Sequence, residues 1–430
     1  MQAEPTEHED GCAVKRRCVL YVSGFDPKGA SHYHAMLGTE GQQQSQQDGW
    51  SLELGPRKRQ ANGNWAWPLE SSVDGQAVHT HYEFLGWDDI VRAHWTRSMP
   101  KLWWQIVTTT AFNLRCGALW RMYTLSWPPV VALTLPFLLV LMLMLGSPVA
   151  GLWSAWLAQA LGGAWWLAAL AGLAASGAVW MLGRHLEARY SMYWMMRSYA
   201  FNALQAQGKT PELEQRLKAH ARTLVDKVLL GGYDEVLLVG HSSGASMAAS
   251  ILGKALALNP EIARQKTKLS FLTLGQWLPA LGTLPVARSF RSELQTIAKA
   301  RGLSWIDFSA PPDGCCFALQ DPLAACGVAP VPEGVSLKVL NPKFADMFAP
   351  DDYRKVKKDK FNLHFQYLRA SHKPVAYDYF LTVAGPCTLA SRYQPHPSVQ
   401  GYAGLRGWPS RCAGRRVGQR LRSSDDGCDT

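Results

Sequence analysis

Short apolar runs recur along the chain, separated by segments in which apolar residues repeat at helical spacing. In the clearest run, 236–239, four consecutive apolar residues favour a strand that is buried on both faces of a sheet. Residues 210–230, just before it, begin with Thr-Pro and repeat apolar residues along one helical face. Strands that alternate with helices predict an α/β fold, with a mostly parallel sheet covered by helices on both faces. Similar apolar runs occur at 18–22, 269–274, 303–308 and 336–340.

A long apolar block interrupts this alternation. No charged residue occurs from Leu125 through Gly183. Within the block, segments 127–145 and 164–182 are each long enough for a membrane-spanning helix, which needs roughly 20 residues. Tryptophans lie near the predicted ends, as in an aromatic belt. We therefore predict a two-helix transmembrane hairpin whose short uncharged connection, between 145 and 164, contains Gly146, Ser147, Pro148 and Gly151.

This hairpin divides the α/β domain into two parts. A polar leader precedes the first strand, and an Arg-, Gly- and Ser-rich tail without periodicity follows the last helix, which predicts disorder there. The predicted organisation is a leader at 1–17, the N-terminal part of the α/β domain at 18–124, the hairpin at 125–183, the C-terminal part of the domain at 184–390 and a basic tail at 391–430.

Charge and cysteine usage predict location and partners. The formal net charge is +11, and many basic residues flank the apolar block instead of forming an aromatic-laced face, so we expect a lipid bilayer and no nucleic acid as partner. The positive-inside rule then predicts a two-span protein of a bacterial inner membrane, with both termini and the α/β domain in the cytoplasm. Nine cysteines without a C-x-x-C pair indicate reduced thiols. Small residues in the second span, such as Gly172 and Gly177, would allow a homo-oligomer to form through the membrane helices.

The residues after the 236–239 strand carry the candidate chemistry. Gly240-His241-Ser242-Ser243-Gly244 joins this strand to a helix that opens with small residues, which is the context of a nucleophile elbow. The two glycines permit the tight turn, Ser242 would stand above the sheet as nucleophile, and the Ser243 N–H would face a developing oxyanion. His241 would shape the pocket. The alternative is a Gly- and Ser-rich turn without chemistry.

A serine nucleophile needs a histidine base and an acid that orients the base, in the chain order Ser, acid, His in elbow enzymes. Asp313, in the loop after the 303–308 strand, fits the acid better than Asp307, which lies inside that strand. His364, before a predicted helix, fits the base better than His372, which lies in a predicted surface loop.

The loop after the first strand, Ser23-Gly24-Phe25, offers a second oxyanion donor in the Phe25 N–H, although a plain strand-to-helix turn would have the same composition. Two H-x-H pairs, His32/His34 and His79/His81, lack a nearby set of carboxylate or Cys ligands. We therefore expect neither a metal nor a cofactor.

Three segments together resemble the α/β-hydrolase superfamily, lipase and esterase type: GHSSG at 240–244, WIDFSAPPD at 305–313 and HFQYL at 364–368. The resemblance covers roughly 18–125 and 200–390. It implies Ser242 as nucleophile, Asp313 as acid, His364 as base, and the Phe25 and Ser243 amides as the oxyanion hole. Ser23-Gly24 stands where many relatives have His-Gly.

The expected function is a membrane-anchored serine hydrolase that cleaves an ester or thioester of a lipid or acyl substrate through an acyl-enzyme on Ser242. The same residues would also serve a peptidase or an acyltransferase. The alternative from another class is a catalytically silent hydrolase fold that acts as a membrane-bound binding or scaffold protein. A transporter is disfavoured, because the predicted spans contain no ionisable residue.

Overall fold

The computed structural model describes residues 14–399. One nine-stranded sheet runs through it in the order β2-β4-β5-β1-β6-β7-β8-β9, with β3 paired to β4. The strands from β5 to β9 in this order are all parallel neighbours, whereas β4 is antiparallel to β2, β3 and β5. This mixed sheet confirms the α/β class. The strands are β1 (Arg16–Val22), β2 (Ser51–Leu54), β3 (Lys58–Arg59), β4 (Trp65–Val73), β5 (Gln76–Phe84), β6 (Glu235–His241), β7 (Lys268–Leu274), β8 (Ser304–Phe308) and β9 (Ser336–Leu340).

Seventeen α-helices connect and cover these strands within the described residues. A π-helical turn at Met142–Gly146 and 3₁₀ turns at Pro260–Arg264 and Gln366–Leu368 complete the helical segments. The helices are α1 (Ala30–Asp48), α2 (Asp88–Ala93), α3 (Met99–Arg115), α4 (Ala118–Leu125), α5 (Trp127–Leu141), α6 (Ser147–Ala160), α7 (Trp165–Tyr190), α8 (Met192–Ala206), α9 (Pro211–Leu230), α10 (Ser243–Leu258), α11 (Leu278–Gly282), α12 (Arg288–Ala298), α13 (Pro322–Ala325), α14 (Pro350–Lys358), α15 (Lys360–His364), α16 (Tyr379–Ala384) and α17 (Leu389–Arg392).

Alternate residues of the central strands enter two cores, one on each face of the sheet. On β1, Leu20 packs in the core that includes residues of α9, α10 and α12, and Tyr21 packs in the core that includes residues of α1, α16 and α17. The strand begins at Arg16, before the apolar run, because a charged residue can enter this sheet when it is paired. The buried Arg17 guanidinium lies 2.8 Å from the Glu235 carboxylate.

Two helices are long and apolar enough to cross a membrane. The first is continuous from Trp127 to Ala160, through α5, the π turn and α6, and the second is α7. The predicted connection between 145 and 164 is longer than the observed one, because residues 146–160 are helical and the turn is confined to 161–164. Close packing of α6 on α7 explains the difference. Gly151 and Gly172 face each other, and a Cβ on Gly172 would lie only 2.9 Å from the Gly151 carbonyl oxygen.

The first apolar helix is attached to the α/β domain by its N-terminal half. Leu133 is buried in the core that contains the elbow helix α10. Beyond Leu133, the apolar side chains of α6 and α7 are largely exposed. Only 17% of the most apolar 18-residue stretch of α7 is buried. These helices therefore differ from the core helices of a soluble domain. Large exposed side chains along them include Leu138, Leu145, Leu152, Trp156, Leu161, Leu173 and Met181.

The C-terminal part of the domain extends further than predicted. The Lys338 ammonium donates to the backbone carbonyls of Tyr393 and His396, and the Val399 N–H donates to the Val339 carbonyl. Residues 393–399 therefore lie along β9, where the Val339 carbonyl accepts from the Val399 N–H and the Val339 N–H donates to the Ser398 hydroxyl. The rest of the predicted tail and most of the predicted leader lie outside the described residues.

One cysteine departs from the prediction of reduced thiols. Cys387, between α16 and α17, is disulfide-bonded. The described cysteines Cys18, Cys315, Cys316 and Cys326 are unbridged.

Candidate active site

Ser242 occupies a strained turn between β6 and α10. Its backbone has φ +59° and ψ −130°, a conformation that costs a non-glycine residue on the order of 1–3 kcal/mol. The turn is as tight as the glycines predict, because a Cβ on Gly240 would lie 2.6 Å from the Ala245 Cα. A Cβ on Gly244 would collide with the backbone carbonyls at the end of β1. The Ser242 side chain is half-buried and lines a cleft.

Asp313 and His364 are joined by a hydrogen bond of 2.8 Å between the Asp313 Oδ2 and the His364 Nδ1. Asp313 lies in the loop after β8, and His364 is the last residue of α15. The carboxylate is held by two further donors, the Tyr367 hydroxyl at 3.0 Å and the Cys315 N–H at 2.9 Å. The loop between β8 and α13 thus delivers an oriented acid to the histidine ring.

The electrostatics of this pair favour an ionised carboxylate. Burial by itself would raise the pKa of Asp313, but the charge and hydrogen bond of His364, with the bonds from Cys315 and Tyr367, outweigh it and lower the pKa below its usual value. An Nδ1–H that donates to Asp313 leaves Nε2 as the basic atom of the His364 ring. This ring lines the same cleft as Ser242.

The Ser242 hydroxyl makes no hydrogen bond to the His364 ring, or to any other group, within residues 14–399. The structure therefore brings the predicted nucleophile and base to the walls of one cleft without joining them. Bonds of this kind are often long in hydrolases before a substrate is bound.

The predicted oxyanion donors lie beside Ser242, but one of them is engaged. The Phe25 N–H donates to the Ser243 hydroxyl at 2.8 Å. The Ser243 N–H belongs to the first turn of α10, where N–H groups have no partner inside the helix. Gly24 allows the close approach of this loop, since a Cβ there would lie 3.1 Å from the Ser242 Cβ.

The His241 ring contacts the main chain of the predicted base, His364. The His241 Nε2 lies 2.9 Å from the His364 carbonyl oxygen. Burial lowers the pKa of His241 to about 3, so the ring is neutral and its Nε2 carries the proton that it donates. The sequence placed His241 in the elbow, but it did not indicate this contact.

The alternate acid and base lie elsewhere. Asp307 is buried within β8, where it accepts from the Thr273 hydroxyl at 2.6 Å and the Ser309 hydroxyl at 2.8 Å. Burial raises its pKa to about 7. His372 is exposed, with its ring against Phe348. Neither residue lines the cleft.

The cleft encloses about 690 Å³, its open mouth included. Its walls come from the elbow, the loop after β1, and the helices α5, α8 and α15. Asp26 is the one acidic side chain among the lining residues. The residues that the sequence did not single out include Asp26, Tyr33, Ala132, Leu133, Trp194, Tyr199 and Phe361.

The two H-x-H pairs lie in different kinds of structure. His32 and His34 lie on the helix α1, whereas His79 and His81 share a face of β5 beside the carboxylates of Glu70 and Glu83. In the part of the chain from 14 to 399, no cluster of three His, Cys, Asp or Glu side chains could hold a metal ion.

Comparisons of this chain with family models, with curated proteins and with solved structures gave no match. Any chemistry of the cleft must therefore follow from the residues that line it and the bonds between them.

Proposed function

We propose that this chain is a membrane-anchored serine hydrolase of the α/β-hydrolase type that cleaves an ester or thioester of a lipid or acyl substrate. The observation that carries the proposal is the 2.8 Å bond from the His364 ring to Asp313, in a cleft that Ser242 lines from a strained turn. A histidine that is oriented by a buried carboxylate and shares a cleft with a serine hydroxyl is the set of groups that can activate a serine.

In the proposed reaction, the Ser242 Oγ attacks the substrate carbonyl carbon while its proton passes to the His364 Nε2. The tetrahedral intermediate collapses, the alcohol or thiol leaves with that proton, and an acyl group remains on Ser242. Water then attacks the acyl-enzyme with His364 as base, and the acid product leaves. The ionised Asp313 stabilises the imidazolium that forms in each half.

The oxyanion would be stabilised by the Ser243 and Phe25 N–H groups. The Ser243 N–H lies at the first turn of α10, whose dipole also favours negative charge. The Phe25 N–H would have to exchange the Ser243 hydroxyl for the oxyanion. This exchange replaces a neutral acceptor by a charged one, which makes the stronger hydrogen bond.

The walls of the cleft support an acyl substrate. Ala132 and Leu133 of α5 line it together with apolar side chains of α8 and α15. Since α5 is the first part of an apolar helix long enough to cross a membrane, an acyl chain could enter the cleft along this helix from the bilayer.

For the membrane topology, we propose that the apolar helix 127–160 and α7 both cross the bilayer, with the α/β domain on the side where they begin and end. Arg121 and Arg184 flank the pair and favour the cytoplasmic side. The disulfide at Cys387 favours an oxidising compartment instead. An epitope tag inserted at Gly162, in the turn between α6 and α7, would distinguish the two orientations. Antibody binding to spheroplasts with an intact inner membrane is expected, and binding only after that membrane is permeabilised would reverse the orientation.

The test of the activity is labelling of the detergent-solubilised protein with a fluorophosphonate. We expect the wild type to be labelled and Ser242→Ala to be unlabelled. Ser246→Ala is the matched control, because Ser246 is a buried serine on α10 that does not line the cleft, and it should keep the label.

A second candidate is a catalytically silent fold that binds or scaffolds at the membrane. It is favoured by the absence of a Ser242–His364 bond in the described residues and by the engagement of the Phe25 N–H. A folded wild type that takes no fluorophosphonate label would support this candidate and contradict the hydrolase.

A further inference from the structure

We propose that α3 lies in the surface of the bilayer and binds anionic phospholipids. The protein would then contact the membrane through this helix as well as through the two apolar helices. The inference rests on the proposed crossing of the bilayer by the helix 127–160 and α7, and it does not depend on the hydrolase activity. It adds a preference for charged lipids, which an uncharged apolar helix does not give.

The exposed face of α3 is apolar, whereas its buried face is partly polar. Trp104, Val107 and Leu114 lie on one side of the helix, because their spacings are three and seven residues. They are 68%, 38% and 62% exposed. On the buried side, Thr109 and Asn113 are only 8% and 0% exposed. A helix at the surface of a soluble domain has the opposite arrangement, so the exposed face of α3 fits a partner with an apolar interior.

This face begins beside the two apolar helices. The Trp103 indole packs on the Trp180 indole of α7, with ring centroids 5.8 Å apart. One turn further along α3, Ile106 packs in a cluster with Val140 of α5. Trp104 follows Trp103 directly, so the exposed apolar face starts next to the helices that we propose to enter the bilayer. Trp is a favoured residue at the surface of a membrane, and an amphipathic helix buries its apolar face there.

The charges on α3 identify the kind of lipid. No Asp or Glu occurs from Ile90 through Leu186. Lys101 and Arg115 are exposed near the two ends of α3, three residues before and eleven residues after Trp104, and therefore lie on the same side of the helix as its indole. Cations at the border of an apolar helix face are attracted to anionic headgroups. The partner that fits this face is a leaflet that contains anionic phospholipid.

The position of α3 also sets the distance between the cleft and the bilayer. Val140 packs beside α3 and therefore marks the level of the bilayer surface on the first apolar helix. Leu133, which lines the cleft, precedes Val140 by seven residues, which is about 10 Å along a helix. The cleft would then lie outside the hydrocarbon, and an acyl chain would reach it by rising about 10 Å along α5.

The test places a fluorescent amino acid at position 104 of the full-length protein in a lipid nanodisc. Lipids brominated in the upper part of their acyl chains quench a fluorophore that they contact. We expect the probe in place of Trp104 to lose about half of its fluorescence or more, because an interfacial helix buries its apolar face at that depth. A probe at Leu145, in the π-helical turn, should be quenched as well. A probe at Leu230, an exposed residue at the end of α9, should keep its fluorescence.

A second measurement tests the preference for anionic lipid. The nanodisc contains phosphatidylcholine with a minor share of phosphatidylglycerol, and the bromine is placed on one lipid or on the other. We expect phosphatidylglycerol to quench the probe at position 104 about two-fold or more above its share of the lipids. Lys101→Gln combined with Arg115→Gln should return the quenching to that share. Lys209→Gln combined with Arg222→Gln, which removes two exposed cations at α9, is the matched control and should leave it unchanged.

The outcomes separate this inference from the other proposals. Quenching at Leu145 without quenching at Trp104 would overturn the contact of α3 and leave the crossing helices in place, since water or a second copy of the chain would then cover this face. Fluorescence kept at both positions would overturn the proposed crossing and this inference with it. Quenching by each lipid in proportion to its share would overturn the preference for anionic lipid. None of these results depends on the labelling of Ser242, which tests the hydrolase.

Discussion

The His241 ring lies 2.9 Å from the main-chain carbonyl of His364, so the residue before the proposed nucleophile holds the backbone of the proposed base. The His364 side chain is held separately, through its Nδ1, by Asp313. The base is therefore constrained at both its main chain and its ring by residues from different parts of the sheet. This double constraint makes His241 a positioning residue in the proposed mechanism.

Replacement of His241 by Phe should slow fluorophosphonate labelling of Ser242 by about 10- to 100-fold, because a small displacement of a base has a large effect on rate. His241→Gln keeps a donor and should recover part of the rate. The control is His372→Phe, an exposed residue that should leave labelling unchanged. Equal rates for His241→Phe and the wild type would contradict the positioning role.

Asp313→Asn should lower the labelling rate by about 10³- to 10⁴-fold, because an amide that donates to the histidine ring selects the wrong tautomer. Asp307→Asn, within the strand β8 that precedes the loop of Asp313, is the matched control and should keep the labelling rate. Both carboxyls are buried, so the comparison separates the role in the site from burial. A large loss in Asp307→Asn, with Asp313→Asn active, would transfer the role of the acid to Asp307.

Asp307 should also make the stability of the protein depend on pH. Burial raises its pKa from 3.8 to about 7, so between these values the native state holds a proton that the unfolded chain has released. This contribution to the free energy of unfolding is present below pH 3.8 and is lost as the pH rises through about 7. Raising the pH from 5 to 8 should lower the midpoint temperature of thermal denaturation more for the wild type than for Asp307→Asn. Equal decreases would contradict the prediction.

Ala132→Phe on α5 should narrow the cleft and shift the preference of the proposed hydrolase toward short acyl chains. Ala132 lines the cleft, whereas the neighbouring Val131 is exposed and does not. Val131→Phe is therefore the control. Turnover of p-nitrophenyl esters of increasing length measures the effect, and we expect long chains to lose about 10-fold or more relative to short ones in Ala132→Phe. An unchanged chain-length profile would show that α5 does not contact the acyl chain.

Gly172→Leu should separate α7 from α6, because the space that its side chain would need is occupied by the backbone of Gly151. Forcing a large side chain into such a contact costs about 1–3 kcal/mol. Gly177→Leu on the same helix meets nothing within 4 Å and serves as the control. Thermal denaturation in detergent compares them. A Gly172→Leu protein as stable as the control would show that the close packing of α6 and α7 is dispensable.

The local pattern of residues determined much of the architecture. Apolar-rich runs, continuous in β1 and β6 and interrupted by polar residues in β7, β8 and β9, were sufficient to predict these strands, because burial on both faces of a sheet favours apolar residues at successive positions. The composition between Leu125 and Gly183 likewise determined two apolar helices. The tight elbow followed from Gly240 and Gly244 because its geometry depends only on neighbours in the chain.

Tertiary structure decided the features that depend on distant contacts. The turn between α6 and α7 lies at 161–164 because Gly151 packs on Gly172, which overrides the tendency of Gly and Pro to break a helix. The contact of Asp313 with His364 joins residues 51 positions apart, and loop position could only rank the candidates. Asp26 and Tyr199 carry no sequence signal at all. They enter one cleft because a loop of β1 and the helix α8 meet there, and that proximity exists only in the folded chain.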